Sequence, residues 1–286
     1  MPRRRLAVLV AALTLLTGCV STGIAGGRTR DGRVAVVAGF YPLAFLAEQI
    51  GGSAVRVIDL TPPGVEPHDV ELTALQVARV EDAALVLYLH GLAPAVDSAV
   101  KDARHRLDLA AVATPRHGDP HVWLDPVRMA AMAQAVGVEL ARVDAAHAAG
   151  YRARTVALIR ELTDLDRELR SGLAQCARTD VITSHSAFGY LTARYGLTQV
   201  GITGVTPDAE PGPGRLAEVT RIAKARHATT IYFESIVSPK VAEAVARSVG
   251  ASTAVLDPIE TKPDGGDYLS AMRANLAALR DGLDCT

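Results

Sequence analysis

Short runs of β-branched and aliphatic residues alternate along this chain with stretches whose apolar positions recur every three or four residues. Val34–Ala38, Val55–Leu60 and Ala84–Leu89 read as buried parallel strands. Leu43–Ile50, Leu72–Val80 and Ala93–Ala103 have helical spacing between and after them. The alternation returns in the second half. Val181–Thr183, Val200–Thr203, Thr230–Phe233 and Thr253–Leu256 read as strands. Helical patterns over Ala187–Tyr195, Gly214–Arg226 and Pro239–Val249 separate them, and a last one covers Tyr268–Arg280. Two such series predict two α/β lobes, each with a mainly parallel four-stranded sheet.

The segment between the series is different. From Ala145 to Ala174 there is no proline, and Leu158, Leu162, Leu165, Leu169 and Leu173 form one apolar stripe. Arg160, Glu161, Asp164, Arg167 and Glu168 fall off that stripe. Thirty helical residues would reach about 45 Å, so this segment reads as a rod joining the lobes; a long core helix within one domain is the other reading. The expected division is an N-terminal lobe over 33–143, the linking helix over 144–175 and a C-terminal lobe over 176–286.

The first 32 residues do not fit either lobe. Arg3, Arg4 and Arg5 precede an uncharged run from Leu6 to Leu16, too short for a membrane span but suited to a secretory signal. Leu16-Thr17-Gly18-Cys19 resembles the lipobox of bacterial lipoproteins. The expectation is a signal peptide over 1–18, a lipid on Cys19, and a flexible tether over 19–32 rich in Gly, Ser, Thr and Arg. Export places Cys176 and Cys285 where thiols oxidise, so they can pair; two free thiols are the alternative.

Composition narrows the function. The formal charge is −1, and cleavage removes three arginines and no acids, leaving −4. With no long basic run, nucleic acid is not an expected partner. Twelve aromatic residues (4 Phe, 7 Tyr, 1 Trp) give little material for stacking platforms.

Three of the eight histidines fall in loops. His68 follows a predicted strand in Gly64-Val-Glu-Pro-His-Asp69. His121 lies in Asp119-Pro-His-Val-Trp-Leu-Asp-Pro126, and His185 in Thr183-Ser-His-Ser-Ala-Phe-Gly-Tyr190. Asp257 ends the last predicted strand in Val255-Leu-Asp-Pro-Ile-Glu260. Parallel sheets bind ligands beyond the carboxyl ends of their strands, and imidazoles with a carboxylate suit Zn²⁺. Spacing alone cannot join residues spread so far apart.

These motifs, with Ile231-Tyr-Phe-Glu-Ser-Ile-Val-Ser-Pro-Lys240, resemble the zinc- and manganese-binding lipoproteins of ABC importers, the ZnuA/TroA-like solute-binding proteins. The resemblance implies two α/β lobes on a long helix, with metal in the cleft. It implies His68, His121, His185 and Asp257 as ligands, and zinc ahead of manganese because the third position is histidine. It also implies a membrane permease as partner and an extracytoplasmic, lipid-anchored location. Glu66, Asp69 and Asp119 are expected to support the imidazoles, and His117 is an auxiliary candidate in a loop much shorter than many zinc members carry. Glu234 reads as structural. The chain is expected to be monomeric and not an enzyme. A zinc hydrolase would need an open coordination position and a general base, and a surface adhesin would be a secondary role.

Overall fold

A computed structural model describes residues 24–116, 118–207, 210–236 and 238–286. The signal peptide, Cys19 and His117 therefore lie outside the described residues. The chain runs β1 (Ile24–Ala25), β2 (Arg28–Thr29), β3 (Val34–Ala38), α1 (Tyr41–Gly51), β4 (Val55–Asp59), α2 (Ala74–Asp82), β5 (Leu85–Tyr88), α3 (Pro94–Ala99), β6 (Arg106–Asp108), α4 (Ala110–Ala113) and α5 (Pro126–Val143). After α6 (Ala148–Gly172) come β7 (Asp180–Thr183), α7 (Gly189–Arg194), β8 (Thr198–Gly201), α8 (Pro213–Ala225), β9 (Thr230–Phe233), α9 (Lys240–Val249), β10 (Ser252–Val255) and α10 (Tyr268–Leu283).

Each half holds four parallel strands in the same topology. In the first, β3 pairs with β4 on one side and β5 on the other, and β6 follows β5; in the second the order is β10-β9-β7-β8. Counted along each half, both sheets run second-first-third-fourth, so the chain changes direction beside β3 and again beside β7. Loops leaving the carboxyl ends there open a crevice, the usual ligand position in such sheets. The central strand β3 is built for burial on both faces, with every residue buried, while the edge strand β10 is mostly exposed.

The tether is shorter than expected. Ile24–Ala25 and Arg28–Thr29 pair antiparallel, and Arg28 pairs with Val34 of β3. Arg28 is tied further by an ion pair to the buried Asp144 at 3.1 Å, so residues 24–32 belong to the lobe.

The rod is α6, whose 25 residues span about 37 Å. Its buried face carries Tyr151, Thr155, Leu158, Leu162, Leu165 and Leu169, and it packs on α5 and α1 at one end and α10 at the other. Gly137 lets α5 approach closely, because a methyl group there would overlap Thr155 Oγ1. Cys176 and Cys285 form a disulfide closing 109 residues, joining the start of the C-terminal lobe to the end of α10.

Candidate metal centre

His68 leaves the loop after β4, His121 the loop before α5, His185 the loop after β7 and Glu260 the loop after β10. All four are buried: His68 is 8% exposed, and His121, His185 and Glu260 at most 1%. His121 Nε2 lies 3.3 Å from His68 Nε2 and 3.4 Å from His185 Nε2. Glu260 Oε1 lies 3.2 Å from His121 Nε2, 3.7 Å from His68 Nε2 and 3.8 Å from His185 Nε2. Donors held 2.0–2.1 Å from a tetrahedral zinc sit about 3.3–3.4 Å apart. Five of the six donor separations are close to that spacing before any ion is added, while His68 and His185, on opposite lobes, stand further apart than the 4.8 Å that contains His68, His121 and Glu260.

Two of the imidazoles are oriented from behind. Asp119 Oδ1 lies 2.9 Å from His121 Nδ1 and also accepts the His121 backbone N–H. Glu234 Oε1 lies 2.5 Å from His185 Nδ1 and accepts from the Ser184 hydroxyl. Carboxylates placed there turn each Nε2 lone pair toward the centre. Glu66 Oε1 accepts the backbone N–H of His68 at 3.2 Å, while Asp69 lines a cavity of about 360 Å³ beside His68 that opens toward solvent. Glu234, read from sequence as structural, thus touches a site imidazole; its place at the carboxyl end of β9 was the available signal.

Asp257 does not join the imidazoles. Its Oδ1 accepts the Ile259 N–H at 2.7 Å, its Oδ2 accepts from Ser235 Oγ at 3.3 Å, and it lines a separate cavity with Lys262 and Asn275. The carboxylate at the three nitrogens is Glu260, three residues further on. An aspartate that bonds an N–H two residues ahead closes its own turn, and the turn delivers the longer glutamate to the cleft.

Charge follows geometry. Burial opposes a charged His121, but its interactions with the Asp119 and Glu260 carboxylates outweigh it and raise its pKa to about 9. Glu260 is pushed up by burial, yet the close imidazoles of His121 and His68 hold it well below the ordinary carboxylate range. Without metal, a buried imidazolium faces a buried carboxylate. Both oxygens of Glu260 nevertheless lack a well-aligned hydrogen bond, an expensive arrangement without a cation.

The cleft is tied across the lobes. Trp123 Nε1 donates to Pro258 O at 2.7 Å, and Tyr268 Oη donates to Trp123 O at 2.5 Å. Asp119 rests on Gly189, where a methyl group would sit 2.8 Å from Oδ2.

Two α/β lobes on a helical backbone, with a buried polar cluster in the crevice between them, define a solute-binding protein. The family model for the zinc-uptake complex component A, ZnuA, matches residues 36–282. The high-affinity zinc uptake system protein ZnuA of Bacillus subtilis (strain 168) is 32% identical over 306 residues, covering 96% of each chain. The laminin-binding protein of Streptococcus agalactiae, described as bifunctional with adhesin and metal-transporting activity, superposes with a TM-score of 0.83 at 31% identity, covering 87% of this chain and 99% of its own. The Zn(II)-bound ZnuA-like domain of Streptococcus pneumoniae AdcA gives a TM-score of 0.79 at 32% identity, covering 88% of this chain and all of that domain. The chain belongs to the ZnuA family.

Proposed function

We propose that this protein is the extracytoplasmic zinc-capturing component of a metal ABC importer, with His68, His121, His185 and Glu260 as the ligands. The observation that carries this reading is the convergence of three Nε2 atoms and one carboxylate oxygen, with His121 Nε2 and Glu260 Oε1 each 3.2–3.8 Å from the other donors. Nitrogen-rich donors favour zinc over manganese. His68 and His121 belong to the first lobe and His185 and Glu260 to the second, so the ion bridges the lobes. A permease that draws them apart takes ligands away in pairs. With four protein donors around the ion, the site keeps no open position for an activated water, which argues for capture over hydrolysis. Among the described residues no helix is long and apolar enough to cross a membrane. Anchoring through lipid on Cys19, with the monomer as the working unit, completes the reading.

Elemental analysis after dialysis of the metal-free protein against equimolar Zn²⁺ and Mn²⁺ tests it. One zinc per chain, lost in His185→Ala, is expected. Retained manganese in place of zinc would move the protein to manganese capture, and no stoichiometric metal would overturn the reading.

A further inference from the structure

Three features around Glu260 belong together. Four described non-glycine residues have positive φ: Thr114, His227, Ile259 and Asp284. Thr114 and Asp284 end helices in exposed turns, and His227 is exposed just after one. Ile259 alone is buried, at 0% exposure, and caps no helix, yet its φ is +58°. A β-branched side chain in the left-handed region is a true outlier, because Cβ crowds the neighbouring backbone. It persists only where the surroundings over-determine it, and such sites cluster at functional positions.

The surroundings here are identifiable. Asn275 of α10 is 2% exposed; its Oδ1 accepts the Asp257 N–H at 2.8 Å and its Nδ2 donates to Asp257 O at 2.6 Å. Asp257 Oδ1 in turn accepts the Ile259 N–H, and Trp123 holds Pro258 O. The turn is pinned at three consecutive residues. Meanwhile the Glu260 carboxylate meets only the site imidazoles, His121 Nε2 at 3.2 Å and His68 Nε2 at 3.7 Å, and has no well-aligned partner behind it, whereas His121 leans on Asp119 and His185 on Glu234. Side-chain support is missing at the one donor whose backbone is strained and clamped.

We propose that Asn275 is a positioning residue for the metal site. Through Asp257 it locks the left-handed turn at Ile259, and that turn, not a partner of the carboxylate, sets Glu260 against the three imidazoles. The proposal rests on Glu260 being a ligand. Outer supports of metal ligands typically contribute about 10–100-fold in affinity, and the clamp should act on that scale.

The test is zinc affinity of the full chain, by competition with a chromophoric chelator, for wild type, Asn275→Ala, Glu260→Gln and the double variant. The expected result is about a 10–100-fold loss in Asn275→Ala and less than about a twofold further loss when it is added to Glu260→Gln, since residues acting as one unit are not additive. The absorption spectrum of Co²⁺-loaded Asn275→Ala should shift toward that of Glu260→Gln. Unchanged affinity and spectrum in Asn275→Ala, or an equal loss in both backgrounds, would overturn the clamp while leaving Glu260 a ligand. An unaffected Glu260→Gln would overturn the ligand set and the clamp with it. If Asn275→Ala does not fold, Ile259→Gly and Ile259→Ala decide. Both lose the same packing, but glycine accepts positive φ, so Ile259→Gly should bind zinc several-fold tighter; equal or reversed affinities would overturn the proposal.

Discussion

Zinc binding to this site should release a proton at neutral pH. In the metal-free cleft His121 is held near pKa 9, against burial, by Asp119 and Glu260, and an imidazolium cannot donate a lone pair. A group whose pKa is raised without metal must be deprotonated on binding, so apparent affinity rises with pH up to that pKa. From pH 9 down to pH 7 the expected loss approaches about tenfold per unit, about 50-fold in all or about 2.3 kcal/mol, since His121 is already half protonated at pH 9. Calorimetry at pH 7 in two buffers of different ionisation enthalpy, with zinc delivered from a weak chelator, reads the proton count directly. One proton per zinc is expected at pH 7 and a fraction near one half at pH 9. Asp119→Asn separates the two roles of that carboxylate. It should lower the proton count at pH 7 by making His121 less basic, and weaken binding at pH 9 by about 10–100-fold through lost orientation. Zero protons at pH 7 with affinity flat up to pH 9 would refute the reasoning.

Other expectations follow from single contacts. Gly189→Ala should weaken zinc binding without unfolding the protein, because the added methyl displaces Asp119 from beneath His121; a zinc titration checks it. Replacing Cys176 and Cys285 by serine opens a 109-residue loop and should cost about 4–5 kcal/mol in the chain-entropy account, measured by denaturant unfolding with and without reductant. Burial raises the Asp59 pKa to about 7, against the Thr61 N–H and with help from Glu48. Its folded form therefore prefers the proton, and stability is lost as pH rises from about 4 to about 7. Asp59→Asn should raise the melting temperature at pH 8 and leave it unchanged at pH 3.

Most of the architecture was legible because buried parallel strands and amphipathic helices write themselves in local periodicity. The apolar runs at 34–38 and 230–233 match β3 and β9 residue for residue, and the leucine stripe from Leu158 to Leu169 is the buried face of α6. The edge strand Arg106–Asp108 and the pairs at 24–29 carried no such signal. They are two or three residues long, partly exposed, and held by neighbours instead of their own pattern.

The three histidines were found as loop residues, His68 and His185 at strand ends and His121 before a helix, and family likeness joined them. The carboxylate that faces them in the structure stands three residues beyond the one expected from sequence, because the choice lies in a turn. Asp257 and Glu260 share one motif, and the left-handed Ile259 lies in the turn between them. No periodicity reports a single φ. The short reach of aspartate to a nearby N–H was the one sequence-level hint that Asp257 would cap its own turn.

The ligand set is tested most directly by zinc K-edge X-ray absorption and anomalous diffraction on the zinc-loaded protein. The account predicts one ion bound by three nitrogens and one oxygen at about 2.0–2.1 Å, with the Glu260 carboxylate as the oxygen. An ion ligated by Asp257, or one lying away from His68, His121 and His185, would contradict it.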